Sequence, residues 1–178
     1  MHEKLDLENY AAAVAGALPG GVLLTTKADG RVNCMTIGWG AVGIDWGVPV
    51  FTAYVRTHRF SAAQLEKNPE FTVNVPSAAT DKKILGYCGT HSGRDTDKVA
   101  DLGLTLVEPE VVSVPGIAEL PLTLECRVVY RQLQELERLP RQLQSRWYPQ
   151  DVPSTSTGSN KDAHIAFYGE VVAAYRVV

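Results

Sequence analysis

The chain has 178 residues, with 17 Lys and Arg against 20 Asp and Glu and a formal net charge of -3, a length that fits one domain able to bury roughly 70% of its unfolded surface. That balance excludes a general basic field for nucleic acid, so any anion site has to be local. The 3 cysteines, Cys34, Cys88 and Cys126, have no CxxC spacing, no apolar run of about eighteen residues could serve as a membrane helix, and no paired Cys/His spacing suits zinc.

Leu7 to Leu18 reads as a short, alanine-rich amphipathic helix stopped by Pro19-Gly20-Gly21. Val22 to Thr26 is then a strand, Asp29-Gly30 a hairpin turn, and Arg31 to Trp39 the returning strand, whose small and polar residues leave one face able to meet a ligand. A third strand is expected from Val50 to Val55. Ser61-Ala62-Ala63-Gln64 matches a capping box, which predicts a helix from Ser61 to Lys67 with Asn68-Pro69 as its stop. Phe71 to Val75 is another strand. Two short helices follow, Thr80 to Tyr87 and Asp95 to Leu102, the second ended by Gly103.

Leu122 to Arg131 alternates most clearly, with Leu122, Leu124, Cys126, Val128 and Tyr130 on the apolar face of a half-buried strand. Pro140 to Trp147 reads as a surface helical turn, and the polar run Pro153 to Asn160 has the length of a mobile flap. The last strand runs from Ile165 to Val178, with Gly169 marking a bulge or a close backbone approach. Many strands, short helices between them and no regular βαβ alternation predict a mainly β, antiparallel barrel with helical insertions. No GxGxxG follows a strand, which argues against a Rossmann domain. The chain shows no repeat and no dividing linker, so residues 1–178 read as a single domain.

Three constellations carry chemistry. Arg56, Arg59 and Ser61 lie between a strand end and a helix start, where two guanidinium groups, a hydroxyl and free backbone N–H groups would hold a phosphate; the same spacing also describes ordinary surface arginines. Asn33 to Trp39 offers amides and the Thr36 hydroxyl to the polar edge of a flat heterocycle, or is a plain barrel strand carrying core Met35 and Trp39. Cys88 to Lys98 is the densest polar run, either a loop reaching a ligand or a capped helix with a solvated face. A Cys88–His91 nucleophile pair lacks a third group to orient it. His164, after the polar loop, is a candidate hydrogen-bond donor or proton carrier, or a structural histidine.

Five segments occur in order: Asn-x-Met-Thr-x-Gly-Trp at Asn33 to Trp39, Val-Arg-x-x-Arg-x-Ser at Val55 to Ser61, Phe-Thr-Val-Asn-x-Pro at Phe71 to Pro76, Ser-Gly-Arg-Asp-x-Asp-Lys at Ser92 to Lys98, and a His-x-x-x-Tyr-Gly-Glu-Val ending at His164 to Val171. Through them the chain, from about Pro19 to Tyr175, resembles the flavin reductase-like family of FMN-binding split barrels, in particular its flavoredoxin branch. It departs from the pattern at His58 and Phe60.

The resemblance implies a Greek-key antiparallel split barrel and a homodimer holding FMN non-covalently near the subunit interface. It implies Arg56, Thr57, Arg59 and Ser61 at the phosphate, and Asn33, Cys34, Met35 and Thr36 along the isoalloxazine, with Asn74 also at the cofactor. Ser92, Gly93 and Arg94 would close over the flavin, and His164 would be the catalytic residue beside the ring. The implied activity is electron or hydride transfer through FMN, with NAD(P)H or a redox protein as donor and neither a metal nor a catalytic nucleophile. A flavin store or sensor without turnover is the alternative, and a related oxidase of pyridoxine phosphate a third, though its second-phosphate contacts are not found. Odd, unpaired cysteines and no apolar leader at Met1-His2-Glu3-Lys4 predict a reduced cytoplasm, with neither nucleic acid nor membrane as partner.

Overall fold

In the computed structural model, which describes residues 2–177, strand β1 (His2–Lys4) leads into helix α1 (Leu7–Ala17). Asp6 caps that helix by accepting from the Asn9 N–H at 3.1 Å, and Pro19 turns its end into a 3-10 segment, Leu18–Gly20. Strand β2 (Val22–Ala28) then folds back as β3 (Arg31–Ile37) through Asp29 and Gly30, whose positive φ values of 52° and 76° suit the twist of a two-residue hairpin.

A second hairpin lies where one strand is expected. β4 (Gly40–Asp45) pairs with β5 (Val48–Arg56) across a Trp46-Gly47 turn, φ 49° and 75°. Tryptophan rarely takes a left-handed conformation, so the turn carries no Asn-Gly or Asp-Gly signal. Helix α2 spans Phe60–Lys67 with Arg59 at its N-cap and no side-chain cap. The capping box fails because both of its side chains are employed elsewhere. Gln64 donates to the Arg31 carbonyl (2.9 Å) and accepts from Thr26 Oγ1 (2.5 Å), while Ser61 Oγ accepts from Asn33 (3.0 Å).

β6 (Glu70–Val75) is followed by α3 (Lys82–Thr90) and α4 (Lys98–Leu102), each shifted from its expected start because Asp81 and Asp97 supply the caps. A small ribbon, β7 (Leu106–Val107) with β8 (Gly116–Ile117), precedes the long β9 (Leu122–Leu133), α5 (Arg141–Trp147) and β10 (His164–Val177). Val178 lies outside the described residues.

Eight strands form one antiparallel sheet in the order β3-β2-β6-β9-β10-β5-β4, with β1 added to β10. The non-sequential neighbours are those of a Greek-key connection, and the curled sheet does not close: the fold is a split barrel. Phe51, Phe71 and Phe167 fill its interior with Leu24, Leu124 and Val14. Gly169 is both a bulge and a close approach, since the register shifts there and a Cβ would stand 2.5 Å from Phe71 Cζ.

β9 is not half-buried along its length: from Arg127 to Leu133 it is exposed except at the part-buried Val128, so Tyr130 does not face the core as expected. From Leu122 to Cys126 every residue is buried, because the 110–114 segment covers the outer face and Glu125 accepts its backbone N–H groups. A smaller cluster of Leu23, Cys34, Ile84, Cys88, Ile117 and Leu120 binds α3 to the outside of β2 and β3. Among the described residues no helix is long and apolar enough to cross a membrane.

Candidate functional site

A cleft of about 710 Å³ opens at the split, between β3, the C-terminal end of β5, the start of α2 and the loop after α3. Asn33, Met35, Thr36, Arg56, Arg59, Ser61, Ser92, Gly93, Arg94 and His164 all line it, so most of the residues singled out from sequence meet in one place.

Its basic end is built on β5 and α2. Arg56 is buried, 6% exposed, and its guanidinium donates to the carbonyls of Asp162 (2.5 Å), Trp147 (2.9 Å) and Asn160 (3.3 Å), lying over the Tyr148 ring. It is therefore a fastener for the 147–162 loop more than an open clamp. Arg59 is freer, with one bond to Ser156 O at 3.2 Å, and stands at the N-cap of α2, whose first N–H groups have no side-chain cap. Burial pulls both guanidinium groups below their ordinary pKa; Asp162 opposes that. Both stay charged, as arginine does. Arg94 donates to His58 O at 2.7 Å, and its own N–H to Ser92 Oγ at 3.2 Å.

The floor is β3. Asn33 is tied to Ser61 and lies under Gly93, where a Cβ would come within 2.1 Å of Asn33 Oδ1; only glycine lets the loop pass. The Thr36 hydroxyl donates to Leu85 O (2.7 Å) on α3, and Thr36 and Met35 both line the cleft.

The far wall is aromatic: Trp39 meets Trp147 edge to face at 5.0 Å and the His164 ring at 4.9 Å. His164 Nδ1 lies 2.9 Å from Tyr148 Oη, whose proton goes to Gln134 Oε1 at 2.8 Å, so the network assigns the hydrogen to Nδ1 and a free lone pair to Nε2. Burial first, then the charges of Arg56 and Arg59, push the imidazole pKa down to about 3. His164 is thus held neutral, donating from Nδ1 to Tyr148 and leaving Nε2 as its acceptor.

Three expected ligands are not in the cleft. Thr57 is exposed and its N–H bonds Ala163 O at 3.1 Å. Cys34 is fully buried behind β3, 3.5 Å from Cys88 Sγ. Asn74 sits within the sheet, donating to Thr25 and Thr72 and accepting from the Ile117 N–H (2.9 Å), so both ends of its amide are spent on the fold. The polar flap is likewise held, by Arg56, Arg59 and the Ser154–Asp162 bond (2.7 Å), and its Ser154, Thr155 and Gly158 line the cleft. Sequence reasoning missed Phe60, which receives Arg31 at 5.2 Å and Arg94 at 5.8 Å. It also missed the buried Lys98 beneath the floor. A lysine between aspartates at a helix start gives no sign of burial. Among the described residues, no His, Cys, Asp or Glu cluster could hold a metal.

An open split barrel with a cationic, helix-terminated cleft defines a class of flavin-associated β proteins. The chain belongs to the family of the flavin reductase like domain, whose model matches residues 15–177. It is similar to the flavoredoxin of Methanosarcina acetivorans, at 27% identity and a TM-score of 0.64 over 88% of this chain and 68% of that one. A flavin reductase-like FMN-binding domain from Shewanella baltica shares the fold at 18% identity and a TM-score of 0.66 over 99% and 77%, as does the NADH:FAD oxidoreductase of Streptomyces globisporus at 20%, 0.61, 88% and 75%. The chain also resembles an uncharacterized Archaeoglobus fulgidus protein, 35% identical over 99 residues, and the match spans about half of each, 56% and 55%.

Proposed function

We propose that the cleft binds FMN and that the protein is an oxidoreductase of the flavin reductase or flavoredoxin type, exchanging hydride or electrons with NAD(P)H or a redox protein. The observation that carries this reading is the pairing of Arg59 and an uncapped helix start at one end with the aromatic wall of Trp39, Trp147 and His164 at the other. That donor set fits a phosphate monoester joined to a planar ring. Arg59 and the first N–H groups of α2 hold the phosphate, with Arg94 beside them. Met35 and Trp39 exclude water from the ring face, Gly93 admits the closing loop, and His164 Nε2 accepts a hydrogen bond without acquiring charge. When bound, FMN supplies the two-electron chemistry itself, so no nucleophile is needed.

The same reading includes a homodimer in a reduced cytoplasm. Ile44, Trp46, Val129, Tyr130 and Leu133 expose 47% to 62% of their surfaces, and Trp46 gathers Tyr130 and Tyr168 at 6.2 and 6.0 Å, an aromatic patch suited to a second copy. Titration with FMN and with FAD, read by quenching of flavin fluorescence, tests the first claim, and anaerobic bleaching of the flavin band by NADH or NADPH tests the second. A chain that binds neither flavin ends the reading. Bound flavin that no nicotinamide and no reduced redox protein can reduce leaves a binding protein in place of an oxidoreductase.

A further inference from the structure

Directly under the floor of the cleft, two thiols face one another. Cys34 on β3 and Cys88 on α3 bring their sulfur atoms to 3.5 Å, and both are sealed from solvent at 0% and 1% exposure, although Cys88 borders the cleft from below. Closing a disulfide requires about 1.5 Å of further approach, which side-chain rotation supplies where two elements already touch. They do touch here: a Cβ on Gly89, the residue after Cys88, would meet Thr36 Cβ at 3.4 Å.

The third member is Lys98, 3% exposed. Its ammonium donates to the carbonyls of Cys34 (2.8 Å) and Cys88 (3.1 Å), and no carboxylate forms an ion pair with it among the described residues. A buried cation without an anion is costly, and a thiolate is the counter-charge this pocket can provide. The hydrogen bond from Cys34 and the nearby Lys98 charge draw the Cys88 thiol down, against burial, while the same bond and burial push Cys34 up. Cys126, alone in the main core, has no such company.

We propose that Cys34 and Cys88 are a redox-active dithiol that closes reversibly to a disulfide and exchanges its electron pair with the flavin held above it. This rests on the flavin reading for its partner and on the sulfur geometry for the couple itself. Closing breaks two S–H bonds and forms one S–S bond; oxidised flavin takes the two electrons and one proton, and the second proton leaves to water. Lys98, bonded to the carbonyl of each cysteine, ties the two elements that carry the sulfurs together.

Two measurements separate the couple from its partner. The full chain is equilibrated anaerobically with mixtures of reduced and oxidised dithiothreitol, quenched in acid, alkylated in denaturant and mapped by mass spectrometry. The expected result is a Cys34–Cys88 linked peptide that returns to two alkylated thiols on reduction, with Cys126 alkylated throughout. Full alkylation of Cys34 and Cys88 at every ratio overturns the inference and leaves the flavin reading untouched. The FMN-loaded, pre-oxidised chain is then titrated with dithionite and should take up four electrons, two for the ring and two for the sulfurs, against two in Cys34→Ser and in Cys88→Ala. An uptake of two in the unaltered chain overturns the exchange with flavin. A linked peptide in a chain that binds no flavin refutes that partner and the proposed function together, and establishes the couple alone.

Discussion

Tyr148 and His164 are joined through Oη and Nδ1 at 2.9 Å, and this bond fixes which nitrogen of the imidazole faces away. Because Gln134 takes the tyrosine proton, the ring keeps its hydrogen on Nδ1 and stays neutral between two guanidinium groups. The folded pKa, about 3, lies below the ordinary 6.5, so between those values the unfolded chain binds a proton that the folded chain refuses. Stability contributed by this group is therefore complete above pH 6.5 and declines as pH falls toward 3, at about 1.4 kcal/mol per pH unit where the slope is steepest. Unfolding free energies from urea titrations between pH 7 and pH 4 should fall with that slope, and His164→Gln should flatten it. Parallel slopes for the two proteins would show that the proton is taken up elsewhere.

Gly93 gives a steric prediction. Its α-carbon passes so near Asn33 and Phe60 that a methyl group would stand 2.1 Å from one and 2.7 Å from the other. Neither neighbour has room to yield, since Asn33 is bonded to Ser61 and the Phe60 ring lies against two arginines. Gly93→Ala should cost about 1 to 3 kcal/mol in denaturant unfolding and weaken flavin binding together with it. An alanine variant as stable as the parent would mean that the 91–97 loop lifts freely.

Much of this architecture is legible in the sequence because its turns announce themselves. Asp29-Gly30 and Gly103 sit where a left-handed residue is needed, and strong alternation marks Leu122 to Arg131 as a strand. Trp46-Gly47 escapes because the required backbone is adopted by a tryptophan, and the strand before it, Gly40–Asp45, holds two glycines and is mostly solvent-exposed, so it carries little apolar signal. The site is legible as a set of residues but not as a set of roles. Asn74 and Arg56 belong to recognisable segments, yet whether an amide or guanidinium meets a ligand or a carbonyl depends on chain that is distant in sequence, Ile117 for one and Trp147 to Asp162 for the other. Lys98 is hidden for the same reason: its partners are backbone oxygens.

Glu125 extends that point to stability. Fully buried on β9, its carboxylate accepts three backbone N–H groups, from Glu110 (2.6 Å), Val111 (2.7 Å) and Val112 (3.0 Å), and so holds the segment that covers the sheet. Glutamine offers only one acceptor atom and turns an N–H₂ toward the remaining donors. Glu125→Gln should lower stability by about 2 to 4 kcal/mol, and hydrogen exchange should show residues 110–112 losing protection first. Protection unchanged at those amides would refute the anchoring role.

Arg56 and Arg59, three residues apart, should answer mutation differently. Arg56 spends its donors on three carbonyls of the loop, so Arg56→Met leaves buried oxygens unpaired and should cost about 3 kcal/mol of stability, with flavin lost as the loop loosens. Arg59 makes a single longer bond, to Ser156, and faces the helix start. Arg59→Met should change stability by less than about 1 kcal/mol while weakening FMN roughly tenfold to a hundredfold, the loss of one charge-assisted contact to a phosphate. Riboflavin, which has the ring without the phosphate, supplies the control: its affinity should be nearly equal in the parent and in Arg59→Met. If riboflavin and FMN lose affinity alike, Arg59 shapes the cleft and does not hold the phosphate, and the basic end is structural. Replacing both arginines should leave the purified protein without yellow colour.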